Sequence, residues 1–310
     1  MKISKKITYF LAKISVTTLC FVYIFNNINF SEVLNASKDI NYRLIMWAVF
    51  VLIIQVFLAS YRWFIINKHI SVTFTKFRQL LRYVWIGLFF NQVLPSSVGG
   101  DFIRGYYLCK FHQVKTSEAI FSVFIDRVIG LLALLFLSTI ALQLLPKEVS
   151  NKFPILDYFF LSWLFIFILI NIDKWEFLNK HIFTKLRKYL TYFVLLREML
   201  YETLIGVFNF IISMFIHVLT IIVFFIISLA MGIEIKLLDL FIVIPFAILL
   251  MALPLSFAGW GIREGIIVFG FNLFGLPSHL SLTLSLIYGF LVLAVSLFGA
   301  MVWIKFNKNE

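Results

Sequence analysis

Each half of the chain contains an eleven-residue motif whose residue types could bind an anion. Residues 94–104 read LPSSVGGDFIR and residues 253–263 read LPLSFAGWGIR, and the two copies agree at six of eleven positions. Both copies end in arginine, whose planar guanidinium matches the geometry of phosphate oxygens. Both also contain proline and glycine, which interrupt a helix and leave backbone N–H groups without a helical partner. The motif therefore predicts two related sites for a phosphate-like group.

Further ionisable residues lie in or beside the apolar sequence around these motifs. An ionisable residue at the centre of a membrane helix costs about 2.5–3.5 kcal/mol, so it must face protein or a wet cavity. Asp126 and Arg127 point about 100° apart on a helix, so they cannot simply pair with each other. We expect Arg127 to pair with Asp101 or Glu264. Arg62, which stands between two aromatic residues, is expected to snorkel at the end of its helix.

The position of the glycines predicts how the motifs would bind an anion. A half-helix that begins after a glycine-rich break presents free N–H groups and the positive end of its dipole. We expect such a helix to begin just after the glycines, with the arginine one turn in. The candidate binding residues are then Ser96, Ser97, Gly99, Gly100, Asp101, Arg104, Asp126 and Arg127 in the first half, and Ser256, Gly259, Gly261, Arg263 and Glu264 in the second. Our hypothesis is that the two sites converge near the middle of the membrane and hold a phosphate-bearing lipid headgroup.

A purely structural interpretation of the motifs competes with this hypothesis. Small residues are common where membrane helices pack closely, and an arginine can simply neutralise a nearby acid. Duplication of the motif favours binding, because paired helix interruptions in two halves of a chain are typical of transporter substrate sites. The sequence leaves open whether Arg104 and Arg263 meet across one cavity or lie apart.

The composition places these residues in a membrane protein. Of 310 residues, 62% are hydrophobic and 14% are charged, and the mean hydropathy is +1.00. One soluble core could not bury so much apolar surface, so we predict an all-α polytopic membrane protein. Basic loops beside an anionic leaflet explain the formal net charge of +12, and we expect no nucleic-acid partner.

Six segments are apolar and long enough to span a bilayer, at about 20 residues each. They are residues 7–25, 43–66, 118–145, 155–172, 204–231 and 280–304. Two further apolar regions, about 79–103 and 240–276, contain the motif, and we interpret them as re-entrant helical hairpins. The chain is then one membrane domain over residues 1–310, whose halves, about 1–150 and 151–310, form an inverted repeat.

The distribution of basic residues supports the hairpin interpretation. With both motif regions re-entrant, 18 of the 27 basic residues fall on one side of the membrane and five in loops on the other. Under the positive-inside rule both termini are cytoplasmic. The shift that carries Leu94 onto Leu253 also carries 43–66 onto 202–225 and 118–145 onto 277–304, which match predicted spans. This is the inverted repeat of many alternating-access carriers.

The sequence contains no signature of a metal, cofactor or nucleotide site. Its five histidines show no HExxH or other ligand spacing, and neither a P-loop nor a dinucleotide fingerprint is present. We therefore expect no metal and no cofactor. His217, deep in a predicted span, is interpreted as a hydrogen-bonded core histidine. Residues 173–203 are consistent with a basic helix on the membrane surface and equally with a basic loop.

Taken together, the motifs resemble those of a known family. The matching residues are Asn91-x-x-Leu94-Pro95, Gly99-Gly100-Asp101-x-x-Arg104, the pair Asp126-Arg127, and Pro254-x-Ser256-x-x-Gly259-x-Gly261-x-Arg263-Glu264. They resemble the lysylphosphatidylglycerol synthase transmembrane domain family, also described as flippase-like, and the resemblance covers nearly the whole chain. It adds Asn91 to the candidate binding residues.

The resemblance implies that the chain moves a lipid between the leaflets of a bacterial-type plasma (inner) membrane. In the best-understood relatives the membrane domain precedes a soluble aminoacyl transferase domain, and we expect that domain to be absent here because the sequence ends at residue 310. The expected substrate is a phosphate-bearing lipid, such as a phospholipid, an aminoacyl-phosphatidylglycerol or a polyprenyl-phosphate lipid. Its anionic headgroup would be the main partner of the protein.

The same resemblance implies roles for individual residues. Arg104, Arg263 and Arg127 would hold the headgroup, while Asp101 and Glu264 would orient the arginines or carry a coupling proton. Two other functions stay open. One is a membrane-embedded transferase acting on a lipid headgroup or glycan, with Asp101 or Glu264 as general base. The other is a non-transporting partner of a separate lipid-modifying or glycan-assembly enzyme.

Overall fold

The computed structural model describes residues 28–70, 75–94, 99–150, 159–170, 196–202, 204–251 and 259–308, with separate positions between 14 and 26 and at 194. These residues form helices joined by short connections, and no β-strand occurs among them. Several helices are long and apolar enough to cross a bilayer. The chain is an all-α polytopic membrane protein, as its composition predicts.

The described α-helices follow one another with short breaks. In chain order they are α1 Phe30–Ala36, α2 Tyr42–Ile70, α3 Phe77–Val93, α4 Gly99–His112, α5 Thr116–Gln143, α6 Lys147–Ser150, α7 Phe159–Ile170, α8 Leu204–Ala230, α9 Leu237–Met251, α10 Ile262–Asn272 and α11 Ser278–Lys308. A π-helical turn, Glu198–Glu202, precedes α8.

Four helices of the described part, α2, α5, α8 and α11, are full-length membrane spans. They contain 27 to 31 residues each, and at about 1.5 Å per residue each is long enough for a hydrocarbon core of about 30 Å. They confirm four of the predicted spans. The predicted span 155–172 is helical over its described part, and the predicted span 7–25 is helical at every position described there. The segment 173–203 lies mostly outside the described residues.

The first motif divides its apolar region into an antiparallel pair of helices, α3 and α4. Gly87 of α3 lies against Gly100 of α4, while Tyr83, one turn earlier, stacks on Tyr107 at 5.5 Å between ring centroids and approaches His112 at 3.3 Å. Residues earlier in α3 thus contact residues later in α4, so the two helices are antiparallel. The start of α3 and the end of α4 therefore lie at the same end of the pair, which is the geometry of the predicted hairpin.

The second motif divides its region in the same way. Met251 at the end of α9 lies against Gly259, and Val243 in the middle of α9 lies against Gly270 near the end of α10. This order of contacts is again antiparallel. Each motif therefore interrupts a helix and reverses the chain, as its proline and glycines predict. Re-entry of the two pairs into the membrane remains a prediction.

The two halves contain the same succession of elements. The shift that superimposes the two motifs also brings the starts of α2, α3, α4 and α5 close to the starts of α8, α9, α10 and α11. Both halves thus consist of a long helix, a helical pair and a second long helix. The division of the chain into halves that form an inverted repeat stays a prediction.

The close approach of α3 and α4 makes a specific prediction about stability. A Cβ atom on Gly100 would overlap the backbone carbonyl oxygen of Gly87, which cannot rotate away as a flexible side chain could. Gly100→Ala is expected to lower the free energy of unfolding in detergent micelles by about 1–3 kcal/mol.

Gly105→Ala on the same helix is the matched control. A Cβ atom on Gly105 meets one described atom within 4 Å, Val123 Cγ2 at 3.8 Å. Alanine there is expected to leave stability unchanged or to raise it by about 0.5–1 kcal/mol, since glycine is unfavourable inside a helix. Equal losses for the two variants would contradict close packing at Gly100.

Candidate functional site

A buried network of ion pairs joins α2, α4 and α5. The two carboxylate oxygens of Asp126 on α5 accept hydrogen bonds from Arg62 Nε of α2 and Arg104 Nη2 of α4, both at 2.8 Å. Arg62 also donates to Ser213 Oγ of α8 at 2.7 Å. All four side chains are buried. Because the buried charges have opposite partners, the network avoids the large cost of an isolated buried charge.

Asp101, at the start of α4, forms the second carboxylate of the network. Arg127 donates to it twice, from Nε to Oδ2 at 2.6 Å and from Nη2 to Oδ1 at 2.9 Å, in the bidentate geometry of strong carboxylate pairs. Arg104 Nε lies 3.1 Å from Asp101 Oδ1, although its N–H is not aligned for a hydrogen bond. The pairing of Arg127 with Asp101 is one of the two partners expected from the sequence.

The expectation that Arg62 snorkels at a helix end is wrong. Helix α2 continues to Ile70, two turns beyond Arg62, and the guanidinium is buried against Asp126 and Ser213 instead of reaching the surface. The opposite charge on α5 explains the difference, because an unpaired Asp126 at this depth would be costly. Both Arg62 and Ser213 were missed as site residues, and the useful signal was an arginine placed well inside an apolar segment.

A pocket of about 1130 Å³ lies against this network. Most of its wall is apolar, from residues of α2, α3, α4, α5, α8 and α9. Its charged and polar lining residues are Arg62, Asn91, Gln92, Asp101, Lys110, Thr116, Asp126, Arg127 and His217. His217 Nε2 lies 3.0 Å from the carbonyl oxygen of Gly130, so the expected hydrogen bond is confirmed, but the side chain is partly buried and lines the pocket instead of the core.

The pocket opens sideways between α4 and α5. Large apolar side chains of both helices line the pocket and are also exposed on the outer surface; they are Phe102, Tyr106, Ile120, Phe124 and Leu131. In a membrane-spanning bundle such a surface faces lipid. Arg127 lies on the same face of α5 as Ile120, Phe124 and Leu131, and 49% of its side chain is exposed. Arg127 therefore stands, with Lys110 of α4, at a mouth whose other exposed lining residues are mainly apolar.

One glycine of each motif donates its N–H group to a protein side chain. Gly99 and Gly100 are the first residues of α4, not ahead of it, and Gly100 N donates to Asn91 Oδ1 at 2.7 Å. Gly259 and Gly261 precede α10 with φ of +82° and +83°, and Gly261 N donates to a Glu264 carboxylate oxygen at 2.6 Å. Protein side chains thus accept the hydrogen bonds of Gly100 N and Gly261 N. An anion would therefore be attracted by the arginine guanidinium groups and not by these two N–H groups. Ser96, Ser97 and Ser256 lie outside the described residues.

The arginine of the second motif belongs to a separate cluster. Arg263 pairs with Glu264, the next residue, through Nε at 2.9 Å and through Nη2, and Nε also lies 3.3 Å from Ser285 Oγ of α11. The guanidinium stacks on the ring of Trp260 at 4.7 Å. Among the described residues no hydrogen bond or ion pair joins this cluster to Arg104, and Arg263 does not line the pocket. Arg104 and Arg263 therefore lie in separate clusters.

The two clusters nevertheless occupy equivalent places in the repeat. The shift that superimposes the motifs carries Arg104 onto Arg263 and Asp126 onto Ser285. Arg104 donates to Asp126 and Arg263 donates to Ser285, so the equivalent contact is made in both halves. Arg127, however, is carried onto Leu286, which is apolar. The half-exposed Arg127 therefore has no arginine counterpart at the equivalent position of the second half.

Helical repeats, two helical pairs and a charged cluster beside a lipid-facing pocket define an integral membrane protein with an intramembrane polar site. A family model described as lysylphosphatidylglycerol synthase TM region matches residues 10–299. The chain belongs to this family, and the resemblance found in its motifs is confirmed.

Two relatives are named UPF0104 membrane protein. The protein from Methanocaldococcus jannaschii is 28% identical over 181 residues, which are 58% of this chain and 53% of that protein. The protein from Methanothermobacter thermautotrophicus is 23% identical over 278 residues, which are 81% of each chain. The match thus spans about half the length of the first relative. No solved structure matches the chain.

Proposed function

We propose that this protein translocates a phosphate-bearing lipid between the leaflets of a plasma (inner) membrane. The observation that carries the proposal is Arg127, a half-exposed cation at the lateral mouth of a pocket whose exposed lining residues are mainly apolar. A lipid could place its acyl chains against that rim and its phosphate against the guanidinium. Phosphatidylglycerol and polyprenyl-phosphate lipids both have this division into apolar tail and anionic head.

The bonding of Arg127 suits it to this role. Its Nε and Nη2 donate to Asp101, and the described structure gives its Nη1 no protein partner. Asp101 therefore fixes the direction of the guanidinium and leaves donors for a phosphate oxygen. Charge-assisted hydrogen bonds of this kind are about twice as strong as neutral ones, and the apolar surroundings strengthen them further.

The length of the pocket also supports translocation. Its wall follows α5 from Thr116 to Leu134, a distance of about 27 Å at 1.5 Å per residue. The hydrocarbon core of a bilayer is about 30 Å thick. A headgroup inside the pocket would thus be sheltered from hydrocarbon over most of the crossing, while its acyl chains remain in the membrane.

Leaflet exchange in liposomes tests the proposal. Purified protein is reconstituted with phosphatidylglycerol carrying a fluorophore on one acyl chain, and dithionite is added to bleach the outer leaflet. Protein-containing vesicles are expected to lose nearly all fluorescence, whereas empty vesicles lose only the outer-leaflet share. Folded protein that leaves the inner-leaflet signal intact for every anionic lipid tried would overturn the proposal.

A transferase is the less favoured function. A general base needs an oxygen that can accept a proton, and each carboxylate oxygen of Asp101 and Glu264 already lies within 3.5 Å of a guanidinium or backbone N–H donor. Using one as a base would break a buried pair. Lipids recovered unchanged after prolonged incubation with the protein are the expected result.

The orientation proposed for the chain places both termini in the cytoplasm. It is tested by single cysteines at positions 113 and 278, in a background with Cys20 and Cys109 replaced by serine. An impermeant maleimide added to intact cells is expected to label position 278 and to label position 113 only after the cells are opened. The reverse pattern would invert the topology.

A further inference from the structure

We infer that the pocket selects lipids whose headgroup carries a net negative charge and rejects headgroups that carry an ammonium group. This inference rests on the proposed function and narrows its substrate class. Its basis is the balance of charges in the pocket wall and the pairing of both carboxylates described there, those of Asp101 and Asp126.

The charged side chains of the pocket are mainly basic. Arg62, Lys110 and Arg127 line it, with Asp101 and Asp126 as its acids among the described residues. Arg104 adds a further positive charge directly behind the two acids. The wall therefore has an excess of positive charge, which an anionic headgroup would neutralise and a cationic one would increase.

The acids of the pocket are fully engaged by arginine. Asp126 accepts from Arg62 through one oxygen and from Arg104 through the other. Asp101 accepts from Arg127 through both oxygens. Both carboxylates are also buried, so an ammonium group would have to compete with a guanidinium to approach one, and displacement from Asp126 would leave a buried arginine without that partner. That exchange is costly in a site of low dielectric constant.

The remaining polar groups suit an uncharged substituent. Asn91 and Gln92 both line the pocket and carry amide groups, and Tyr106 contributes a hydroxyl group at its mouth. Amides and hydroxyls can donate to and accept from the hydroxyl groups of a polyol. A phosphodiester with a hydroxyl-bearing substituent therefore fits the wall better than one with an amine.

Cys109 provides a direct measurement of this preference, because it lines the pocket and the chain contains one other cysteine, Cys20. The Cys20→Ser protein in detergent is treated with a maleimide while lipid is titrated. The probes are phosphatidylglycerol, phosphatidylethanolamine and lysyl-phosphatidylglycerol with identical acyl chains, whose headgroups are anionic, neutral and cationic. Phosphatidylglycerol is expected to protect Cys109 at a concentration at least about tenfold lower than the lysyl lipid, with phosphatidylethanolamine between them.

Lys110→Glu tests the physical cause. Lys110 is exposed at the edge of the pocket, so its replacement is expected to leave the fold intact. A carboxylate there should bring the protecting concentrations of the anionic and cationic lipids closer together. Equal protection by the three lipids, or stronger protection by the lysyl lipid, would overturn the charge selection while leaving a lipid site in place. Absence of protection by any lipid would overturn the selection and the proposed function together.

Discussion

Asp126→Ala is expected to lower the free energy of unfolding by about 3–5 kcal/mol, because it removes the carboxylate shared by two buried arginines. Arg62 would retain its hydrogen bond to Ser213, and Arg104 would retain its imperfect contact with Asp101 and the ring of Trp63, 4.9 Å from its guanidinium carbon. Both guanidinium groups would remain buried without the negative charge that Asp126 supplies to them. Unfolding by denaturant in detergent micelles measures the loss.

Glu118→Ala on the same helix is the matched control. Glu118 also pairs with a cation, Lys115 at 3.7 Å, but that lysine is largely exposed. Exposed pairs of this kind contribute about 0–1 kcal/mol, so the control should lose little stability. A loss from Asp126→Ala no larger than that from Glu118→Ala would show that the buried network does not hold α2, α4 and α5 together.

A double variant distinguishes two causes of the lost stability, a buried charge without a partner and the loss of side-chain packing. Combining Asp126→Ala with Arg62→Leu removes one of the stranded charges and leaves Arg104 beside Asp101. Part of the lost stability is expected to return, since the number of buried charges without a partner falls. A further loss, additive with that of the single variant, would mean that Arg62 contributes through its packing instead.

Arg127→Gln is expected to slow leaflet exchange of phosphatidylglycerol by about 10–100-fold. Hydrogen bonds to charged groups contribute about 1.5–3 kcal/mol, and each 1.4 kcal/mol corresponds to a factor of ten. Glutamine keeps a polar side chain of similar reach but loses the charge and the guanidinium fork. The exchange rate of Arg127→Lys should lie between those of the native protein and Arg127→Gln, because a lysine attracts phosphate only as a point charge.

Two comparisons distinguish headgroup binding from an indirect effect of Arg127. Arg82→Gln removes an exposed arginine of α3 that does not line the pocket, and it should leave exchange unchanged. Asp101→Asn combined with Arg127→Gln removes both members of the ion pair. The double variant should remain slow if Arg127 binds phosphate. Recovery of exchange in the double variant would show that Arg127 serves only to neutralise Asp101.

Much of the fold could be predicted because the relevant signals are local in sequence. The spans α2, α5, α8 and α11 follow from runs of apolar residues longer than a bilayer requires. The two helix breaks follow from proline and glycine, which act on their own backbone. The repeat was visible as one constant offset between the motifs and between the spans around them, which the helix boundaries then matched.

The partners of the charged residues could not be predicted in the same way. The sequence showed that Asp126 and Arg127 each needed another partner, since neighbours on a helix point in different directions. It could not show that Asp126 would meet Arg62, 64 positions earlier, because that contact depends on how α2 packs against α5. Arg62 was misread for this reason.

The sequence by itself thus determined the membrane class, the long helices, the two helix interruptions and the family, because each follows from local composition or from a repeated motif. The tertiary structure alone decided that, among the described residues, the motif arginines lie in separate clusters and that Arg127 of the first half stands half-exposed at a pocket lined by exposed apolar side chains. The physical reason is that an arginine reaches several ångströms, so its partner is selected by helix packing and not by its position in the chain.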